Sequence, residues 1–243
     1  MVMAVGTLTA VDFCYCSYSA CVIYYVGEQM IKVENVDVWG FEHAIRGMRN
    51  PLNSWTKSDS HHEYTPSKEG GIDYELVFAI GEADLDLMRR LYKAGTEHRK
   101  YLRQVFVNMD VTAPLYWWKE FDTYKVGTVA NSCSTMHTIH SKEFELDDFS
   151  HEHMLGSYSV MNEVIKCLNH NRAAYLETKD KSFWWQMIQL LPSSYNQRRT
   201  ITMNYENVVN IIRQRTGHKL DEWNTFVEEL KKLPYIEEII NAD

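Results

Sequence analysis

VFVNMDVTAPLYWWKEFDTYKVGTVANSCST, residues 105 to 135, is the stretch whose reading decides the fold. Its first seven residues alternate Val105, Val107, Met109 and Val111 against Asn108 and Asp110, the pattern of a strand with one dry and one wet face. Ala113-Pro114 then opens a helix, because proline has no N–H to lose in a first turn. Trp117, Phe121 and Tyr124 recur at spacings of four and three, so the spacing predicts a helix over 115–125 with its aromatic residues packed inward. After Gly127 the small polar residues compete with a helical backbone for hydrogen bonds, and TVANSCSTMH is expected as a loop.

Outward from there the pattern mixes strands and helices. MIKVENVDVWGF, residues 30 to 41, alternates as a strand. A short helix is expected from Glu42 to Arg49, ended by Asn50-Pro51, and 53–72 is expected as a loop. GEADLDLMRRLYKAG places Leu85, Met88, Leu91 and Tyr92 on one face of a helix closed by Gly95. Helices are predicted near 155–177, 180–191 and 203–215, and a last amphipathic one from Leu220 to Pro234. The fold class expected is α+β, a central antiparallel sheet flanked by helices, with helices dominant.

The 243 residues carry a net charge of −8, which argues against a nucleic-acid polymer as partner, since phosphate backbones draw on clustered Lys and Arg. Small anions remain compatible, because paired arginines hold a phosphate even on an acidic chain. Cys14, Cys16, Cys21, Cys133 and Cys167 form neither a CxxC pair nor a disulfide framework, which points to a reducing, cytoplasmic setting. Residues 1–29 contain no Lys or Arg and are interrupted by Asp12, so neither a signal peptide nor a membrane anchor is expected. Gly27-Glu28-Gln29 ahead of Met30 has a purine-rich coding possibility similar to a ribosome-binding site. The expectation is therefore a leader or disordered segment over 1–29 and a single domain over 30–243.

Two segments resemble the flavin-dependent thymidylate synthases. That family's RHRxxSxNExSxR signature follows a strand ending in Ala-Pro. TYKVGTVANSCST, residues 123 to 135, lies at the matching distance after VTAP. Laid on it without gaps, Lys125 takes the last basic place, Thr128 the first serine, Asn131 the glutamate, Cys133 the second serine and Thr135 the final arginine. The basic triad has become Thr123-Tyr124-Lys125. LPSSYNQRRTITMNYENVVNIIRQR, residues 191 to 215, is similar to LPxxxxxRxxxxxNxRxxxNxxxxR: Arg198, Asn204, Asn210 and Arg215 fall in place, while Glu206 stands at an arginine position. Trp223 sits near an expected tryptophan.

The resemblance implies a homotetramer with active sites between subunits, FAD in an interface groove, dUMP stacked on the flavin, and NADPH and methylenetetrahydrofolate as co-substrates. Under it, Glu120, Lys125, Ser132, Cys133, Ser134, Thr135, Arg198 and Arg215 are the candidate substrate-binding residues. Ser54, Thr123, Tyr124, Lys125, Asn131, Asn204 and Asn210 are the candidate cofactor-binding ones.

Arg198 and Arg215 are expected to meet the hydroxyl segment 132–135 around one anion, with short donors and backbone N–H groups reaching it. By the same resemblance Glu120 falls where the family has a glutamine close to the pyrimidine, and is expected to accept a uracil N3 proton or to contact an exocyclic amine. The same residues also fit a plainer description, in which the arginines solvate helix ends and the hydroxyls cap local backbone. Cys133 has no activating neighbour in the sequence, and the His61/His62, His137/His140 and His151/His153 pairs lack a consistent carboxylate partner for a metal. Two alternatives stay beside the synthase: a nucleotide-sequestering or sensing protein without flavin, and a structural or interaction protein on the same scaffold.

Overall fold

The computed structural model describes residues 31–66, 74–154 and 156–241; the expectation for 1–29 lies outside them. The alternation read at 105–111 is realised as β4 (Phe106–Pro114), an inner strand of a four-stranded antiparallel sheet. Its order is β1 (Lys32–Trp39), β4, β6 (Asn196–Asn204) and β5 (Thr128–Ser132). Val107, Met109, Val111 and Ala113 are almost wholly buried, as are Ile201 and Met203, which sit on the same face of β6. The opposite face carries Asn108, Asp110 and Thr112 beside Arg198, Thr200 and Thr202. Period-two geometry alone produces this division.

Helices pack against the apolar face. Pro114 ends β4 and caps α3 (Leu115–Phe121), whose Trp117, Trp118 and Phe121 are buried as expected. Trp117 lies 4.7 Å from Trp223 and 5.2 Å from Phe121, and this aromatic group joins α3 to α7 (Tyr205–Arg215) and α8 (Asp221–Lys231). Burying each such ring contributes roughly 1.5–3 kcal/mol. α1 (Phe41–Arg49) and α2 (Glu82–Lys93) complete this core with α9 (Ile236–Ile240). Gly40 turns the chain from β1 into α1 at φ 102°, where a Cβ would lie 2.2 Å from the Gln104 carbonyl oxygen, so only glycine fits.

A second apolar cluster, with Phe144, Phe149, Met161, Leu168 and Met187 at its centre, forms around α5 (Tyr158–Thr178) and α6 (Lys181–Leu190). A two-stranded hairpin, β2 (His61–Pro66) with β3 (Tyr74–Ala79), stands apart from the main sheet.

Several expectations are corrected. The helix predicted over 115–125 ends at Phe121, because Thr123 turns its hydroxyl onto the Glu120 carbonyl at 2.7 Å. The loop expected from Gly127 onward begins as strand β5, which gains its backbone partners from β6. Part of the loop expected at 53–72 is β2, paired residue for residue with β3. The helix predicted from 203 begins at Tyr205, and the nine residues before it form β6, which the sequence reading did not assign.

Candidate functional site

The C-terminal ends of α3 and α7 bring Glu120, Tyr124 and Arg215 together, and the start of α8 adds Trp223. Arg215 donates through Nη1 to Glu120 Oε2 at 2.7 Å and through Nε to the Tyr124 hydroxyl at 3.0 Å. Its guanidinium carbon lies 4.4 Å from the centre of the Trp223 ring, close enough for a cation–π attraction. Trp223 is fully buried, and its indole N–H donates to the same Glu120 oxygen at 3.0 Å. The Tyr124 hydroxyl in turn donates a hydrogen bond to Gln214 Oε1 at 3.0 Å. A cation at the last turn of α7 is further favoured by the partial negative charge of the helix end.

Glu120 Oε2 is therefore saturated. Glu120 Oε1 and Arg215 Nη2 make no hydrogen bond among the described residues, and the Glu120 side chain remains 37% exposed. One acceptor and one donor are thus left on two touching groups, the complement of a ligand edge with an N–H beside a carbonyl.

The arginine of β6 expected to join them does not. Arg198 lies on the open polar face of the sheet, bonded to Asp110 Oδ2 at 2.6 Å, whereas Arg215 lies among the helices behind the other face. Asp110 also accepts from Thr200 and Asn35, and these bonds together with the Arg198 charge hold its carboxyl well below the usual carboxylate range. Arg198 is pushed upward in turn, chiefly by its bond to Asp110.

Its neighbour Arg199 points to the helix side. Arg199 stacks 4.3 Å over Trp118 and donates to Asp122 Oδ1 at 2.8 Å and to Gln197 Oε1 at 3.0 Å. Gln197 in turn donates to the Cys133 carbonyl at 3.0 Å and to the Thr135 hydroxyl at 3.1 Å. The basic residue linked to the hydroxyl segment on this face is thus Arg199, which the sequence reading missed. The signal was present: in RRTITM, Arg199 is in phase with the buried Ile201 and Met203, and Arg198 is not.

Within the segment, Ser132 pairs in register with Arg199 on β5, and the Cys133 N–H donates to the Arg198 carbonyl at 2.9 Å. Ser134 caps the short helix α4 (Thr135–Thr138), accepting from the His137 N–H at 3.3 Å. Of the segment's hydroxyls, that of Ser134 serves local backbone and that of Thr135 meets the Gln197 side chain.

The candidate cofactor residues do not gather in one place. Ser54 lines a cleft of about 380 Å³ beside α1 and α2, with Met48, Leu91 and Tyr101. Thr123 closes α3, and Asn204 caps α7 by accepting from the Asn207 N–H at 3.1 Å. Asn131 is exposed on β5, and Lys125 is exposed in the turn before it. Asn210 accepts from Arg99 at 3.5 Å. Glu206, buried, is held by Arg99 Nε at 3.2 Å and Arg103 Nε at 2.6 Å. A carboxylate at this arginine position is thus matched by guanidiniums from the segment before β4. Among the described residues no group of three or more His, Cys, Asp or Glu is placed to hold a metal ion.

With this geometry in hand, the chain compares with solved structures at the level of fold. It resembles thymidylate synthase X (ThyX) from Helicobacter pylori, solved with FAD and dUMP, at TM-score 0.59 and 16% identity, over 82% of this chain and 91% of that one. It likewise resembles the UMP/dUMP methylase PolB from Streptomyces cacaoi, solved with 5-Br dUMP, at TM-score 0.55 and 13% identity, over 87% and 94% of the two chains. The chain has the fold of the flavin-dependent thymidylate synthases. No family model and no curated protein matches the sequence. No described helix is long and apolar enough to cross a membrane.

Proposed function

We propose that this chain binds a pyrimidine nucleotide through Glu120 and Arg215 and carries out reductive methylation of dUMP or a related pyrimidine nucleotide. The observation that carries the binding reading is the free acceptor on Glu120 beside the free donor on Arg215. Uracil offers an N3–H flanked by carbonyl oxygens. Glu120 Oε1 accepts the first and Arg215 Nη2 donates to one of the second. The names of the structures sharing the fold supply the reaction class.

Within one chain the phosphate-binding groups lie elsewhere. The aromatic core around Trp117 and Phe121 separates Arg215 from Arg199, and the sheet separates it from Arg198. We infer that a second copy supplies Arg198 or Arg199 with the 132–135 segment, which is the homotetramer reading with its sites between subunits. Lys125, exposed, joins the phosphate side.

The candidate FAD residues do not fit a flavin within a single chain, since Ser54, Asn131, Tyr124 and Asn210 face different surroundings. If two chains together held it, FAD with NADPH would supply the reducing equivalents, and methylenetetrahydrofolate the carbon. What this chain's own residues do is bind and orient the base. The second reading, a nucleotide-sequestering or sensing protein without flavin, is favoured by one observation: Glu206 occupies an arginine position and is neutralised internally by Arg99 and Arg103.

The test is the purified protein's visible spectrum and its quenching of FAD fluorescence, together with melting in the presence of dUMP. The synthase reading expects yellow protein, or FAD uptake, and a rise in Tm with dUMP. A ligand at a hundredfold its Kd stabilises the folded state by about 2.7 kcal/mol. A colourless protein that takes up no FAD but is stabilised by dUMP supports the second reading. Indifference to both ligands refutes nucleotide binding and leaves a scaffold or interaction protein.

A further inference from the structure

A cleft of about 890 Å³ lies between β1 and the β2–β3 hairpin, and Leu233, Pro234 and Tyr235 from the turn before α9 also line it. Residues 36–39 of β1 and 76–79 of β3 line it as two unbroken runs. One face of a strand shows only alternate residues, so unbroken runs mark a cleft that meets both strands at their edges. Both edges lack a strand partner among the described residues: β1 ends the order β1-β4-β6-β5, and β3 has β2 on one side only. A bulge between Glu34 and Asp37 interrupts the register of β1 with β4, and Asp37, Val38 and Trp39 resume regular pairing. An edge of this kind presents unpaired N–H and C=O groups, the template for a further strand.

The charge of the cleft is one-sided. Among the described residues Asp37 makes no hydrogen bond or ion pair. Glu42 and Glu63 meet only His62 and His61, at 3.9 and 3.7 Å. The one lysine in the lining, Lys232, is held by Glu229 at 2.6 Å. Trp39 rests on Phe106 at 5.9 Å and is still 42% exposed. Asp37 and Trp39 lie opposite Asn108 and Phe106 on the open face of the sheet, whereas Val38 lies opposite the buried Val107.

We propose that this cleft takes an extended basic segment of a partner protein as an added strand beside β1, with basic and apolar side chains in alternation. Positions beside Asp37 and Trp39 suit Lys or Arg, through a cross-strand ion pair and a cation over the exposed indole. The position beside Val38 falls on the apolar face and suits an aliphatic side chain. Main-chain hydrogen bonds supply the affinity of such strand addition, and the alternate side chains its selectivity. Residues 1–29 of this chain contain no Lys or Arg, so the charge of the cleft favours a segment from another protein. The inference is independent of nucleotide binding.

Two measurements on the full chain test it. The first is calorimetric titration with an acetylated, amidated hexapeptide of alternating lysine and valine. One control carries N-methyl groups on alternate amides, and another has three lysines followed by three valines. The alternating peptide is expected to bind, less well as salt rises, and both controls far more weakly. Asp37 is exposed and unpaired among the described residues, so Asp37→Lys keeps the fold; it is expected to weaken binding roughly 3–10-fold, because cross-strand attraction becomes repulsion. The second measurement is hydrogen exchange, in which the outer-edge amides among residues 36–39 exchange fast in the free protein and slow on peptide addition.

Failure of the alternating peptide to bind overturns the proposal. Equal binding of the methylated peptide, or unchanged affinity in Asp37→Lys, overturns it as well. Protection of those amides without peptide also overturns it: protection that grows with protein concentration assigns the edge to a second copy, and protection at every concentration assigns it to residues 1–29.

Discussion

Replacing Asp84 tests the most buried charge among the described residues. Asp84 is wholly buried and Arg49 is 4% exposed, and the Arg49 Nε donates to Asp84 Oδ1 at 2.6 Å. The other carboxylate oxygen accepts from the Ser58 hydroxyl at 2.6 Å, the Ser60 hydroxyl at 2.7 Å and the Ser60 N–H at 3.1 Å. Arg49 also reaches the Ser54 carbonyl at 3.3 Å, so the pair ties the segment 54–60 to α1 and α2. Asp84→Ala would strand the buried Arg49 guanidinium, while the exposed Ser58 and half-buried Ser60 could turn their donors to solvent. Breaking a buried pair by removing one partner costs about 3–5 kcal/mol, against a total stability of roughly 5–15 kcal/mol. For a chain of this size that lowers Tm by roughly 6–20 °C.

Arg49→Ala should cost less, because Asp84 keeps its neutral donors. The double variant should cost less than the sum of the two, the mark of a coupled pair. Urea denaturation followed by far-UV circular dichroism measures all of these, with the midpoint shifting at constant slope. An Asp84→Ala cost below about 1 kcal/mol would refute the reasoning, since no buried-charge penalty is that small.

Three further predictions follow from the same contacts. Among the described residues Trp117 has no partner for its indole N–H, whereas Trp118 donates to the Gln197 carbonyl at 2.9 Å. Trp117→Phe should therefore destabilise less than Trp118→Phe, by about 1–3 kcal/mol in denaturant titrations, the cost of a stranded buried group; the reverse order would contradict the packing described. Arg215→Ala and Glu120→Ala should each weaken dUMP binding roughly tenfold or more, the worth of a hydrogen bond to a charged group, while calorimetric titration of Arg46→Ala, away from the site, should match wild type.

Asp84 is lowered because the bonds from Ser58, Ser60 and Arg49 outweigh its burial, and Asp110 is lowered by Thr200, Asn35 and Arg198. Folded values below the unfolded ones contribute stability above the ordinary aspartate value of about 3.9, lost as pH falls through the folded values. Burial raises Tyr101 and Tyr205, so stability should fall again once pH passes the unfolded tyrosine value of about 10. A Tm that stays level from pH 7 down to 3 would contradict the acid limb.

How much was legible in the sequence differs element by element. β4 was readable because Val107, Met109 and Val111 face a core while Asn108 and Asp110 do not, and side-chain alternation is a local property. α2 was readable for the same kind of reason, its buried Leu85 and Met88 recurring at helical spacing. β2 and β5 were not, because His61–Pro66 and Thr128–Ser132 have little apolar content and become strands only through the partners that satisfy their backbones.

By itself, then, the sequence determined the α+β class, the inward aromatic face of α3 and the chain order shared with the thymidylate synthase fold. The first two follow from periodicity within single segments, whereas the third was what the resemblance of residues 123–135 and 191–215 to that family implied. Only the tertiary structure decided which groups meet: that Arg215 joins Glu120 and Trp223, that Arg198 turns away to Asp110, that Arg199 and not Arg198 approaches Thr135 through Gln197, and that Glu206 is matched by Arg99 and Arg103. Charged side chains carry no periodic signal of their partner. Their pairing depends on which faces of distant elements are brought together, and one step along a strand reverses the face.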